Sequence, residues 1–249
     1  MRRDGASPGG ETGRLPPEPT RFMEARREPF DRIIILIVRY DPLRERSTMN
    51  AFDAQADAQP RALRSASWID DGGKNGFIAR HHLRAMGLGP AQFDGRPIVG
   101  IASTWSELVP CNANLRELAQ HVRRGITRAG GVALEFPVMS LSEPLMRPTS
   151  MIYRNLAAIE FEEDIRAHPL DAVVLLTGCD KTTPAALMGA ASADVPAIVA
   201  TSGPMLNGKY RGRDVGSGTD IWKMSEDLRA GVVSQAAATS SACSCFRES

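Results

Sequence analysis

The sequence predicts an α/β fold in which a parallel sheet is flanked by helices on both faces. From residue 97 onward, apolar runs such as DAVVLLTG at 171–178 alternate with segments of helical periodicity. The loops between them are short, and this alternation favours right-handed crossovers between parallel strands. The 249 residues are 43% hydrophobic and 24% charged, which is the composition of a globular protein.

The first 49 residues differ in composition from the rest of the chain. They hold ten arginines, six prolines and eight acidic residues, with no lysine and no regular period. This composition predicts a disordered N-terminal extension, although a natural start at Met49 would also explain the boundary. We therefore divide the chain into an extension at 1–49, an α/β domain at 50–235 and an irregular tail at 236–249.

The first half of the α/β domain contains two predicted helices and a strand. The pattern predicts a helix at 76–86, a buried strand at 97–103, and a longer helix after residue 112 that Gly130 ends. Four apolar residues form one stripe along the longer helix: Leu115, Leu118, Val122 and Ile126.

The second half repeats the alternation. A strand is predicted from residue 133, followed by a helix over 147–168 with Pro148 near its first turn. The strand at 171–178 leads into a helix that carries Pro184 near its first position, and a last strand begins at about residue 195.

Charge and cysteine usage limit the class of protein. A formal net charge of +1 gives no reason to expect a nucleic acid or an anionic membrane as partner. The longest aliphatic run, IIILIV at 33–38, is far shorter than a membrane-spanning helix. Four widely spaced cysteines without a C-x-x-C motif are typical of a reducing compartment, so we expect a cytoplasmic protein.

Three loops that follow predicted strands carry the reactive side chains. They are TWSELVPCN at 104–112, SLSEPLMRPT at 140–149 and TGCDKTTPA at 177–185. Such loops meet at the carboxyl edge of a parallel sheet, which would bring together Cys111, Glu143, Cys179, Asp180 and Lys181. Each cysteine precedes a predicted helix, whose N-terminal dipole is expected to lower the pKa of the thiol.

These residue types leave more than one chemistry open. A thiolate pair favours a soft metal such as iron or zinc, and carboxylates favour a hard one such as magnesium. Lys181 fits a hard-metal site only if it neutralises a phosphate, pairs with an acid or is carbamylated into a carboxylate-like ligand. The structural alternative is a salt bridge at the strand end beside two buried thiols.

Five motifs in order along the chain resemble the dihydroxy-acid dehydratase and phosphogluconate dehydratase family. They are TWSELVPCN, SLSEPLMRPTSMIYRN, TGCDKTTPAALMGAAS, TSGPMLNGKYRG and GSGTDIWKMSEDLRAG, and the resemblance runs from about residue 63 to 231. The SLSEPLMRPT loop resembles the sugar-acid branch, the arabinonate, xylonate and galactonate dehydratases. A branched-chain dihydroxy acid, as in valine and isoleucine biosynthesis, is the alternative substrate.

The resemblance implies a hydro-lyase that converts a 2,3-dihydroxy acid into a 2-keto-3-deoxy acid. It implies a [2Fe-2S] cluster, held by three cysteines and acting as a Lewis acid on the departing hydroxyl, with Mg²⁺ nearby. Carried onto this sequence by motif, Cys111 and Cys179 are two of the cluster ligands. Glu143, Asp180 and a carbamylated Lys181 are the Mg²⁺ ligands.

Two departures from the family pattern bear on activity. The third cluster cysteine is expected in a loop shortly beyond residue 231, where Cys243 and Cys245 arrive early and in a context that does not match. The catalytic serine base of the family belongs to a C-terminal domain without a counterpart here. The resemblance therefore implies an N-terminal fragment with little activity alone. Such a fragment works with a missing half or a homo-oligomer partner, is a non-catalytic remnant that binds another chain, or is a truncated gene product without a function.

Overall fold

A central five-stranded sheet organises the protein. The computed structural model describes the backbone of residues 35–38 and residues 62–93, 95–210 and 212–239. The strands of the central sheet are Ile35–Val38 (β1), Ile98–Ser103 (β2), Val132–Pro137 (β3), Ala172–Thr177 (β4) and Ala197–Thr201 (β5). Their order in space is β1-β5-β4-β2-β3, and β2 to β5 are mutually parallel. Gly208–Tyr210 (β6) and Arg213–Val215 (β7) form a separate antiparallel pair.

Helices connect the strands and cover both faces of the sheet, as predicted. They are Ala66–Ile69 (α1), Lys74–Ala85 (α2), Pro90–Phe93 (α3), Leu115–Arg128 (α4), Arg154–Ala167 (α5), Thr182–Ala193 (α6), Thr219–Arg229 (α7) and Gln235–Thr239 (α8). The 3₁₀ turns Pro110–Asn112 and Ser150–Tyr153 precede α4 and α5. α4 packs on one face of the sheet, and α5 and α6 pack on the other. Within the described ranges, every helix is too short or too polar to cross a bilayer.

The alternation of side chains along β2 and β4 divides the core into two layers. Ile101 and Leu176 lie on the α4 side, whereas Ala102 and Leu175 lie on the side of α5 and α6. Successive side chains of a strand point to opposite faces, so a strand covered on both faces is apolar throughout. The predicted stripe on α4 lies in the first layer, with its first two residues buried and its last two partly buried.

Close contact between α5 and α6 fixes the direction of α6. Gly189 permits it, because a Cβ there would lie 2.5 Å from the carbonyl oxygen of Ala158 and 2.5 Å from the Cβ of Phe161. The alanines of α6 at 185, 186 and 190 are buried in the same region. The N-terminal end of α6, which follows Lys181, is therefore held at a defined place beside the sheet.

The structure differs from the sequence prediction at the N-terminal strand. β1 lies within the segment predicted to be disordered and pairs antiparallel with β5, so it adds an antiparallel edge to the predicted parallel sheet. Its β-branched residues favour a strand. The disorder prediction depended on the arginines and prolines around it. The other residues of 1–49 lie outside the described residues, as does the tail from 240 with Cys243 and Cys245.

Two prolines also lie elsewhere than predicted. Pro148 lies outside the helical segment, before the 3₁₀ turn that precedes α5. Thr149, the next residue, caps this turn by accepting a hydrogen bond from the Met151 N–H. Pro184 is the third residue of α6, where its missing N–H still costs no helical hydrogen bond.

Candidate active site

The carboxyl edge of the sheet gathers the three loops expected to carry reactive residues. Cys111 lies in the 3₁₀ turn after β2, and Glu143 lies in the loop after β3. Cys179, Asp180 and Lys181 connect β4 to α6. The five residues form one continuous series of side-chain contacts.

The two thiols of this series are neighbours. Cys111 and Cys179 are hydrogen-bonded through their side chains, and the Cys111 Sγ also lies 3.9 Å from the Met205 Sδ. The hydrogen bond that the Cys179 thiol donates to Cys111, and then burial, raise the pKa of the Cys179 thiol far above its usual value. These effects outweigh the backbone N–H groups of Asp180 and Glu143, which favour the thiolate. The prediction that a helix N-terminus lowers the pKa is therefore wrong for Cys179 in this state.

Backbone geometry explains how the two cysteine loops approach each other. Cys179 has a φ of 69°, in the left-handed region that residues other than glycine seldom adopt. A Cβ on the preceding Gly178 would lie 2.9 Å from the Cys111 carbonyl oxygen and 2.3 Å from the Ser202 Oγ. The chain after β4 therefore passes the Cys111 turn at a distance that only glycine allows.

The carboxylates lie on the other side of Cys179. The Asp180 Oδ1 is 3.4 Å from the Cys179 Sγ, and the Asp180 Oδ2 is 2.8 Å from the Lys181 Nζ. The same ammonium is 3.3 Å from the Glu143 Oε2, which also accepts a hydrogen bond from the Ser150 Oγ. The hydrogen bond between Lys181 and Asp180 lowers the pKa of the carboxyl and raises the pKa of the amine.

The donor atoms fit the two groups that the motifs imply. Across 62–93, 95–210 and 212–239, no three His, Cys, Asp or Glu side chains converge on one metal position. Two pairs do converge: thiols, which suit iron, and carboxylates, which suit magnesium. A lysine ammonium lies between the carboxylates, where carbamylation would exchange its positive charge for a third oxygen ligand. Both donor sets are partial, and Glu143 and Asp180 are 44% and 60% exposed, so the site is open to solvent on that side.

Buried polar residues that the sequence did not reveal join the three loops. The Asn112 Nδ2 contacts Thr104 and Ser140. The Thr182 Oγ1 accepts a hydrogen bond from the Leu141 N–H at 2.9 Å. Asn112 and Thr182 each directly follow a candidate ligand, Cys111 and Lys181, and that adjacency is the signal that could have found them.

Comparison with known proteins identifies the family of the chain. Residues 96–248 match the family model described as dihydroxy-acid/6-phosphogluconate dehydratase N-terminal. The chain is 58% identical over 175 residues to an L-arabonate dehydratase of Azospirillum brasilense. The aligned segment covers 70% of this chain and 30% of the relative.

Two further relatives show how similarity varies across the family. A D-xylonate dehydratase of Caulobacter vibrioides is 43% identical over 185 residues, covering 73% of this chain and 31% of the relative. A dihydroxy-acid dehydratase of Moorella thermoacetica is 40% identical over 157 residues, covering 60% of this chain and 28% of the relative. The chain spans about 30% of the length of these curated relatives. It belongs to the dihydroxy-acid/6-phosphogluconate dehydratase family.

Proposed function

We propose that this chain is the cofactor-binding part of a sugar-acid dehydratase, a hydro-lyase that removes water from a 2,3-dihydroxy sugar acid to give a 2-keto-3-deoxy acid. The observation that carries the proposal is the contact between the thiol pair and the carboxylate pair, through the Cys179 Sγ and the Asp180 Oδ1 at 3.4 Å. The greater identity to an L-arabonate dehydratase, 58% against 40% for a dihydroxy-acid dehydratase, favours a sugar acid over a branched-chain acid.

In this proposal the two donor pairs hold different cofactors. Cys111 and Cys179 are two ligands of a [2Fe-2S] cluster, and Glu143, Asp180 and carbamylated Lys181 bind Mg²⁺. When bound, these groups supply Lewis acids for the departing hydroxyl and a counter-charge for the substrate carboxylate. Cys243 and Cys245 are candidates for the third cluster ligand, and the family match includes both.

The protein ties the two donor pairs together through its backbone. The Cys179 Sγ accepts hydrogen bonds from the N–H groups of Asp180 and Glu143. Ser150, which is fully buried, donates to one oxygen of Glu143. The residues that would bind Mg²⁺ therefore also orient a cluster ligand, and a shift of one pair displaces the other.

Iron binding tests the cofactor assignment. We expect the anaerobically reconstituted chain to hold iron and sulfide and to show sulfur-to-iron charge-transfer absorption. Cys179→Ala should abolish both signals, whereas Glu143→Gln should retain them, because it changes only the carboxylate pair. Cys243→Ser and Cys245→Ser show which tail cysteine contributes. A wild-type chain without iron would refute the cluster assignment.

A chimera tests the reaction. Residues 63–231 of this chain would replace the matching segment of the Azospirillum brasilense enzyme, and formation of a 2-keto acid from L-arabinonate would be measured. We expect turnover, and we expect its loss with Asp180→Asn. The chimera could instead fold, hold iron and convert a branched-chain dihydroxy acid but no sugar acid. That result would contradict the sugar-acid proposal and favour the branched-chain alternative.

The proposal includes a protein partner, either the remaining part of a longer dehydratase or another copy of the chain. It is supported by a row of exposed apolar residues, Ile152, Leu156 and Ile159, at helical spacing beside the Glu143 loop. In the chimera, Ile159→Glu should reduce turnover while iron content stays constant. Glu163→Gln, an exposed change on the same helix, is the matched control, and equal turnover of the two variants would speak against a contact here.

A further inference from the structure

Asn112 occupies a central position among the three loops of the site. Its side chain is fully buried. The Nδ2 group lies 3.2 Å from the Thr104 carbonyl oxygen, 3.1 Å from the Thr104 Oγ1 and 2.7 Å from the Ser140 Oγ. A carbonyl oxygen only accepts hydrogen bonds, so the amide nitrogen of Asn112 must face Thr104, and this fixes the orientation of the amide.

The partners of Asn112 are themselves anchored. The Thr104 N–H and Oγ1 both donate to the Leu176 carbonyl oxygen on β4, at 3.1 and 2.9 Å. Ser140 belongs to the loop that leads to Glu143. One amide group therefore connects the Cys111 turn to the end of β4 and to the carboxylate-bearing loop.

The other end of the Asn112 amide points toward the second cysteine loop. The Oδ1 atom is buried and has no hydrogen-bond partner among the described residues. A Cβ on Gly178 would lie only 2.4 Å from it. Asn112 follows Cys111 in the chain, and Gly178 precedes Cys179, so the amide lies directly between the two cysteine-bearing segments. An unpaired buried acceptor is unfavourable, which means that stability alone does not account for asparagine here.

We infer that Asn112 is the positioning residue that holds the Cys111 thiol beside the Cys179 thiol. Its significance for catalysis rests on the proposed function, in which these thiols bind one cluster. The amide acts through the two loops that it joins and is not itself a ligand. Loss of the Nδ2 donors frees the Cys111 turn from Thr104 and Ser140, and the two sulfurs separate.

A trivalent arsenical measures the proximity of the two thiols without iron. Phenylarsine oxide reacts with two neighbouring thiols to form two S–As bonds, and the two thiol protons leave with the oxide oxygen as water. The parent protein is the full chain with Cys243→Ser and Cys245→Ser, which leaves Cys111 and Cys179 as its cysteines. The readout is the 2-mercaptoethanol concentration that displaces half of the arsenical.

We expect the parent to hold one arsenical, and Asn112→Ala to lower the displacement midpoint by about tenfold or more, because the effective concentration of one thiol at the other falls. Ser140→Ala removes one of the three contacts of the Asn112 Nδ2 group and leaves the residues of the Cys111 turn unchanged. It should give a smaller fall in the displacement midpoint. It also provides the test if Asn112→Ala does not fold.

Leu118→Ala is the matched control, because it removes buried packing of α4 and leaves every hydrogen bond of Asn112 in place. Circular dichroism establishes that each variant is folded at the assay temperature. A midpoint unchanged in both polar variants, or lowered equally by Leu118→Ala, overturns the inference, and so does a parent that holds no arsenical. Failure to bind iron, with the arsenical results as expected, would count against the proposed cofactor and leave the positioning role intact.

Discussion

The two edges of the central sheet differ in how their polar groups are paired. At the amino edge, Asp171 accepts hydrogen bonds from the Ser65 N–H and Oγ and from the Ile98 N–H, at 2.9, 2.7 and 2.7 Å. Nearby, the Arg64 guanidinium donates to carbonyl oxygens at the C-terminal end of α5, including that of His168 at 2.6 Å. At the carboxyl edge, the buried oxygens of Asn112, Asn114 and Ser142 have no hydrogen-bond partner among the described residues.

This difference separates a part of the molecule that serves stability from the part for which we propose a role in chemistry. A charged acceptor with three donors contributes to the free energy of folding. Unpaired buried acceptors reduce it, and they persist where a site must present groups to a ligand. The comparison predicts that substitutions at the amino edge change the free energy of unfolding but not the geometry of the thiols.

Asp171→Ala should have the largest effect on stability. It removes three charge-assisted hydrogen bonds and leaves the Ile98 N–H without its acceptor, so we expect a loss of about 3 kcal/mol in the free energy of unfolding. Chemical denaturation measures it. Asp171→Asn, which retains one acceptor oxygen, should lose about half as much. At a temperature where both are folded, arsenical binding should equal that of the parent, and a loss of binding would show that the two edges are not independent.

Gly178→Ala should have the next largest effect, at the carboxyl edge. The added Cβ would meet three atoms at 2.3 to 2.9 Å, and relief of such overpacking costs about 1–3 kcal/mol. The Cys111 turn must move away, so arsenical binding should fall as well. Gly125→Ala on α4 is the control, because nothing lies within 4 Å of its Cβ position and alanine favours a helix by about 0.5–1 kcal/mol. Equal effects of the two substitutions would contradict the close approach of the loops.

Lys181→Gln should lower stability slightly at neutral pH, by an amount that disappears in acid. The Lys181 hydrogen bond lowers the pKa of Asp180, so this pair stabilises the folded state above the usual carboxyl pKa and loses that contribution as the pH falls through the lowered pKa. Without the ammonium the pKa of Asp180 should rise, and the stability difference from the parent should vanish in acid. Carboxyl chemical shifts in a pH titration measure this, and an unchanged pKa would assign the shift to another cause.

Lys209→Gln should have the smallest effect. Lys209 lowers the pKa of Asp214 by a hydrogen bond across the exposed β6–β7 pair, and exposed ion pairs contribute little to stability. We expect the pKa of Asp214 to rise toward its usual value in the variant, with no measurable change in the thermal midpoint near neutral pH. A clear drop in the midpoint would show that this pair supports the domain and does more than join two short strands.

The central strands and the apolar stripe of α4 could be predicted from the sequence because each depends on a pattern of neighbouring residues. Leu115, Leu118, Val122 and Ile126 repeat at helical spacing, and no tertiary information is needed to assign them to one face. The five reactive residues could be placed at one edge because parallel strands fix where their loops meet. Strand β1 was missed because its class depends on pairing with β5, about 160 residues away in the chain.

Other features of the site depend on contacts that sequence patterns do not contain. The raised pKa of Cys179 results from a thiol that is distant in the chain. The role of Asn112 depends on Thr104 and Ser140, which lie on two other loops. Sequence reasoning selected the five residues that we propose carry the chemistry, whereas the buried polar residues that join their loops became visible only through their hydrogen bonds.

The left-handed backbone of Cys179 is a conformation that glycine would adopt more easily than cysteine. Glycine adopts a φ of 69° without steric cost, whereas a cysteine there is strained. Cys179→Gly is therefore a substitution that removes a proposed ligand and relieves strain in the fold at once. In a copy of the domain released from selection for chemistry, backbone strain would act against a cysteine at this position, so the cysteine found here is a residue by which continued selection on the thiol can be judged.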